Sequence, residues 1–236
     1  MTVLAPPSNE RLLVVAAHPD DLESWCGGTI TQAVDQGCRV RLALVTSGDK
    51  GSSDPLTTPE RIAAEREAEA RRAADVLGIE AVDFWRYPDG EVENTNELRG
   101  RIVEVFRRWR PECVFTHDPV APLPRYLCHR DHLAVGRATL DAVYPLARDV
   151  HYFPEHHRAG LMPHKVRRVW LFASGAADHY VDITAGIERK IAARLEHRSQ
   201  TPDPAILPGN WRARAKRCGE PAGVPLAETF TLLELD

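Results

Sequence analysis

The run 12-LLVVAAHPDDLES-24 sets six apolar residues directly against a histidine and three acidic side chains. A short continuous apolar run of this kind reads as a buried strand, of the sort a parallel sheet covers on both faces. The strand ends at His18, and Pro19 restricts the turn that follows. Charge crowded against a buried strand is expensive to keep unpaired, so Asp20, Asp21 and Glu23 must hold something.

Working outward, further β-rich runs occur at 39-RVRLALVT-46, 81-AVDFW-85, 112-ECVFT-116 and 166-VRRVWLF-172. Segments of helical period lie between them. The stretch 60-ERIAAEREAEARRAADVLG-78 spaces Ile62, Ala63, Ala70, Ala73, Ala74 and Leu77 on one face, opens after Pro59 and closes on Gly78. A second helix is predicted over 96-NELRGRIVEVFRRW-109, and a third runs from near Asp131 to Pro145. This βαβ rhythm predicts an α/β, Rossmann-like, mostly parallel sheet flanked by helices, in a single domain over 1–236. Such sheets bind ligands beyond the C-terminal ends of their strands, where HPDD sits. Segments 117–130 and 145–165 have weak periodicity and read as loops or lids.

The chain has 236 residues, 43% of them hydrophobic, enough for one large core, and a net charge of −4. That charge gives no general attraction to nucleic acid or anionic membranes, so a small-molecule partner is the expectation. No apolar run reaches the length of a membrane span, and MTVLAPPSNE lacks the regions of a signal peptide. Five scattered cysteines without a CxxC pair fit a reducing cytoplasm better than a disulfide framework.

A neutral imidazole and a carboxylate from HPDD suit zinc, but a catalytic zinc needs a third protein ligand and an open position. The other dense cluster is 128-CHRDH-132, behind the strand 112–116. It can supply one histidine as ligand and place the other beside the metal. Two histidine clusters favour zinc or a similar divalent transition metal over magnesium. One aspartate of HPDD could then bind while its neighbour serves as general base towards the metal-bound water, and the spare histidine would face developing oxyanion charge. That set of parts describes metal-assisted amide or ester hydrolysis. In the bland alternative, Asp20 and Asp21 merely cap the next helix.

These residues resemble the LmbE-like or PIG-L family of zinc-dependent deacetylases, which act on N-acetylglucosamine-type substrates. AHPDDxE stands as Ala17, His18, Pro19, Asp20, Asp21 and Glu23, followed by 27-GGT-29, and HxDH as His129, Asp131 and His132. The likeness continues through 46-TSGDKGS-52, Arg66 and Glu69, 88-PDG-90, 182-DIT-184 and 196-EHRSQ-200. The resemblance implies metal ligands at His18, Asp21 and His132, a general base and later acid at Asp20, and an oxyanion-side histidine at His129. It implies substrate contacts at Arg66 and Asp89, although Arg66 paired with Glu69 on a helix surface and Asp89 in an ordinary turn are the competing readings. Asp131 would orient a histidine or simply favour a helix N-terminus. Roles for Asp49, Tyr126 and His197 stay open, as does a homo-oligomer.

The implied function is zinc-dependent removal of an acetyl or other acyl group from an amino sugar or glycoconjugate. Rival readings are an amidase on a thiol conjugate or other non-sugar amide, and a noncatalytic metal- or ligand-binding protein. A dinucleotide-dependent oxidoreductase is disfavoured, because no GxGxxG follows the first strand.

Overall fold

The computed structural model describes residues 2–120 and 129–236. Its strands are β1 (Thr2–Leu4), β2 (Arg11–Ala16), β3 (Arg39–Thr46), β4 (Ala81–Tyr87), β5 (Cys113–His117), β6 (Arg168–Phe172), β7 (His179–Asp182) and β8 (Ala227–Glu234). Among the described residues they form one sheet in the order β1-β7-β8-β6-β5-β2-β3-β4. Only β8 runs antiparallel to its neighbours, β6 and β7. The remaining pairings are parallel.

The continuous apolar run of β2 follows from its central place. Leu12, Val14 and Ala16 enter one core, and Leu13, Val15 and Ala17 the other, with every one of these side chains fully buried. The first core is closed by α1 (Asp21–Trp25), α2 (Gly27–Asp35), α3 (Pro59–Leu77), α7 (Ile187–Glu196) and α8 (Leu207–Gly219). The second is closed by α4 (Asn96–Trp109) and α5 (Arg130–Asp141). A short helix, α6 (Pro154–Arg158), interrupts the segment expected to be loop.

Capping follows the sequence signals. Thr58 Oγ1 accepts from the Arg61 amide at 3.3 Å, Pro59 occupies the first turn of α3, and Gly78 ends it at φ 77°. Thr95 Oγ1 accepts from Leu98 N at 3.2 Å and starts α4. The third helix ends earlier than expected, at Asp141, and a wider turn over Ala142–Leu146 carries Pro145. Strands β1, β7 and β8 escape the periodicity reading. The first two are only 3 and 4 residues long, and β8 (AETFTLLE) interleaves polar with apolar side chains.

Candidate active site

The chain leaves β2 at Ala16, and α1 begins at Asp21, so Ala17, His18, Pro19 and Asp20 form the whole connection. Asp20 sits at the N-cap position with φ 94°, yet its side chain makes no capping bond. A left-handed aspartate without a cap bond is mildly strained, and the turn aims its carboxylate elsewhere. Asp21 instead accepts the His18 amide at Oδ2, 2.8 Å, folding its carboxylate back under the strand end. Simple helix capping therefore does not account for either aspartate.

Helix α5 brings His132 to the same point. His18 Nδ1 lies 3.2 Å from His132 Nε2 and 3.5 Å from Asp21 Oδ2, and His132 Nε2 lies 3.2 Å from Asp21 Oδ1. Three donors about 2.0–2.1 Å from a tetrahedral ion stand about 3.3–3.4 Å apart, so this trio has the spacing to hold a metal ion. His18 and Asp21 are buried and His132 is half-buried. Burial opposes charge on Asp21, but His132 and His117 outweigh it and hold its carboxyl well below the usual range.

Asp131, fully buried, stands behind His18. Its Oδ2 lies 3.3 Å from His18 Nε2 and accepts from Gly90 N at 2.7 Å, while Oδ1 accepts from Val92 N at 3.2 Å. It therefore orients the ring through the nitrogen opposite the trio and ties the 88–92 turn to α5. Asp89 points inward as well, with Oδ1 3.1 Å from His18 Nε2. Asp49 fixes that turn by accepting the Asp89 amide at 2.9 Å. Burial works against protonation of His18, but hydrogen bonds to Asp131, Asp21 and Asp89 prevail and raise its pKa.

His129, the N-cap of α5, accepts the Asp131 amide at Nδ1, 3.3 Å. This leaves the proton of its neutral ring on Nε2. Burial, then the neighbouring His18, keeps the ring below its ordinary pKa, favouring that neutral form. Its ring packs edge-on against His18, centroids 4.6 Å apart.

Arg66 lies inside the protein, only 4% exposed, and is not a surface partner of Glu69. Its NH1 donates to Gly48 O at 3.0 Å and its NH2 to Pro19 O at 2.8 Å, leaving NH2 3.6 Å from Asp20 Oδ1. The glycines of 46-TSGDKGS-52 make room for it: a Cβ on Gly48 or Gly51 would stand 2.0 or 2.3 Å from Arg66 NH1. From the other side Arg194 NH2 approaches Asp20 Oδ2 at 3.3 Å, and this arginine is held by His197 O, Gln200 O and Thr201 Oγ1. Asp20 is thus gripped by two guanidinium groups. Burial still raises its carboxyl above the ordinary value, against the opposing pull of Arg194 and Arg66.

The segment 196-EHRSQ-200 is anchored to α3 and α1. Ser199 donates through N and Oγ to Glu69, both at 2.7 Å, and fully buried His197 sets Nε2 3.3 Å from Glu23 Oε2. Tyr126 lies outside the described residues.

Sequence reasoning placed 117-HDPVAPLPRYL-127 in a loop and so missed His117. This residue closes β5, is 1% exposed, and stacks on His132 with centroids 4.0 Å apart. Its Nε2 accepts from the Ala17 amide at 3.2 Å and lies 3.2 Å from Asp21 Oδ2. Burial, then His132, drives its pKa down to about 3, so it stays neutral. The available signal was its place at the end of an apolar run, as His18 is at the end of another. Sequence reasoning also missed Arg194, which sits on a helix far along the chain.

Gly28 N and Thr29 N donate to Glu228 at 2.9 and 2.7 Å, so the start of α2 is satisfied by the protein itself. A Cβ on Gly28 would meet Ile183 at 2.8 Å, so close helix–loop contact explains the residue.

Comparison with known proteins agrees with this geometry. Residues 13–143 match the PIG-L family model, described as GlcNAc-PI de-N-acetylase. The chain is 32% identical to the diacetylchitobiose deacetylase of Thermococcus kodakarensis, over 82% of this chain and 71% of that protein. It is 30% identical to a probable N-acetyl-alpha-D-glucosaminyl L-malate deacetylase 2 of Bacillus anthracis, over 81% of this chain and 82% of that protein. Among solved structures, N,N'-diacetylchitobiose deacetylase from Pyrococcus horikoshii superposes with a TM-score of 0.88 at 29% identity, covering 95% of this chain and 84% of that one. Two strand-end clusters that meet in space, inside a matching fold and a matching sequence profile, place the chain in the PIG-L family.

Proposed function

We propose that this protein is a zinc-dependent N-deacetylase that hydrolyses the amide of an N-acetylglucosamine-type sugar or glycoconjugate. The observation that carries the reading is the convergence of His18, Asp21 and His132 at tetrahedral spacing, with Asp20 and His129 beside them. The named relatives are deacetylases of amino-sugar compounds, which supports the substrate class. His18, Asp21 and His132 would hold the ion, and a mixed nitrogen and carboxylate set of this kind favours zinc. When bound, the metal supplies Lewis acidity to the amide carbonyl and makes water more acidic.

The protein's own groups supply the rest. Asp20 accepts a proton from the attacking water and later delivers it to the departing amine nitrogen. Its raised pKa moves in the direction such a two-way role needs. Arg66 and Arg194 fix its carboxylate while leaving it partly exposed. His129 presents Nε2–H to the oxyanion. Asp131 keeps His18 oriented, and Asp89, close to His18, stands at the edge where sugar hydroxyls would arrive.

No described helix is long and apolar enough to cross a membrane. Cys26, Cys38, Cys113 and Cys218 are free, which supports a reducing compartment such as the cytoplasm. The test is metal content of the purified protein together with acetate release from a panel of N-acetylglucosamine derivatives. Near-stoichiometric zinc with turnover lost in Asp20→Asn, by about 10²–10⁴-fold, is expected. Undiminished turnover in Asp20→Asn would overturn the assignment of the base.

A further inference from the structure

We propose that the enzyme accepts N-acyl groups longer than acetyl, and that a cavity behind His132 and His117 receives the acyl chain. The inference rests on the amide-hydrolase reading and extends it to the acyl side. Among the described residues, a cavity of about 240 Å³ opens beside these two rings, between α1, α8 and the ends of β5, β6 and β8. One wall is His132, a member of the donor trio, so the cavity and the candidate site share this ring.

Direction decides what would enter. The carbonyl oxygen belongs at the donor trio and His129, and the nitrogen must lie within reach of Asp20 to be protonated. Asp20 is gripped from the α3 and α7 sides, and Asp89 and His129 flank the site towards β4 and the start of α5. The third substituent of the carbonyl carbon, the acyl chain, is left with the side on which His117 and His132 stack.

The walls fit an apolar chain. Trp25 and Trp211 face the cavity with Leu133 and Ala215. Of the charges at its edge, Lys190 Nζ bonds Glu228 at 2.5 Å, Glu228 already accepts from Gly28 and Thr29, and Asp118 accepts from Val120 N at 2.8 Å. Arg214 lies over the Trp25 ring, 4.3 Å from its centroid. One water takes about 30 Å³ in the liquid, so the methyl of an acetyl group would leave most of this space unfilled. The reaction is ordinary hydrolysis: water adds to the carbonyl, the C–N bond breaks, and the carboxylate and the amine leave.

The test uses the metal-loaded protein and two series. In the first, kcat/KM is measured for N-acetyl-, N-propionyl-, N-butyryl- and N-hexanoyl-glucosamine. In the second, binding of acetate, butyrate and hexanoate is measured by calorimetry, without turnover. Wild-type kcat/KM for the butyryl substrate is expected to equal or exceed that for acetyl, and carboxylate affinity to rise by up to about fourfold per methylene. Ala215→Phe and Cys218→Phe, which fill the cavity from α8, should each lower the hexanoyl-to-acetyl ratio of kcat/KM at least tenfold. Turnover of acetyl alone, with a ratio indifferent to both fillers, would overturn the cavity while leaving the deacetylase standing. If no acyl-glucosamine reacts, the sugar reading fails. The cavity then stands or falls on whether chain-length-dependent carboxylate binding is present and lost in the fillers.

Discussion

Replacing Asp131 with Asn tests the architecture behind the proposed metal site without touching any of the three donors. Asp131 is fully buried, and its two oxygens serve His18 Nε2, Gly90 N and Val92 N. Asparagine keeps the volume but replaces one oxygen with an NH2 group, which cannot accept from the backbone amide it would face. One buried N–H then loses its partner, at a cost of about 1–3 kcal/mol to the metal-free fold. The His18 ring separately loses one of the two carboxylates, Asp131 and Asp89, that face its Nε2. Removing such a carboxylate behind a ligating histidine weakens metal binding by about 10–100-fold. By linkage, the stabilisation that saturating metal adds should shrink by about 1.4–2.7 kcal/mol at the same free metal concentration.

The two effects separate in a pair of measurements. Chemical denaturation of the metal-free proteins reads the backbone term, and competition against a chelator of known affinity reads the metal term. A metal affinity in Asp131→Asn within twofold of wild type would refute the claim that Asp131 orients His18 for binding. It would leave Asp131 as no more than a tie between α5 and the 88–92 turn.

Other perturbations probe different links. Gly48→Ala should destabilise the fold by about 1–3 kcal/mol and depress kcat, because φ is +63° and the new Cβ would strike Arg66; denaturation and initial rates check this. Arg194→Ala should lower kcat more than it raises KM, since it removes one side of the grip on Asp20, and Arg194→Lys should recover part of the loss; equal changes in both parameters would count against it. Glu67 is pulled down to about 2, chiefly by Arg86 and then by Ser47. A depressed carboxylate contributes stability that is complete above its unfolded pKa, near 4.5, and is lost as pH falls towards 2. Glu67→Gln should therefore be less stable than wild type at pH 7, by up to about 2 kcal/mol after screening at the exposed Arg86, and the gap should close by pH 2.

The legible parts of this protein are those whose cause is local. Strand β2 and helix α4 could be read because burial on two faces, or on one stripe, writes itself into a few consecutive residues. That the two dense clusters HPDD and HRDH would meet could be expected because each follows a strand end, whereas the choice of Asp21 and His132 within them came only from the family resemblance. The short strands β1, at the sheet edge, and β7, beside it, owe their existence to pairing in the sheet rather than to their own composition, so nothing in three or four residues announces them. His117 was hidden because its neighbours 118–127 are polar and proline-rich, which drew the strand end one residue too early.

Arg66 shows a different kind of limit. Its family-implied contact with sugar was read from motif position, whereas its environment depends on Gly48, Gly51 and Pro19, none of which is near it in sequence. The same holds for the grip on Asp20, which joins residue 20 to residues 66 and 194 from three separate elements. A metal ligand can be guessed from its type, because few side chains coordinate zinc. The group that tunes a general base can be any cation the fold delivers to it, so its identity is fixed by helix placement and is visible only once α3 and α7 are packed side by side.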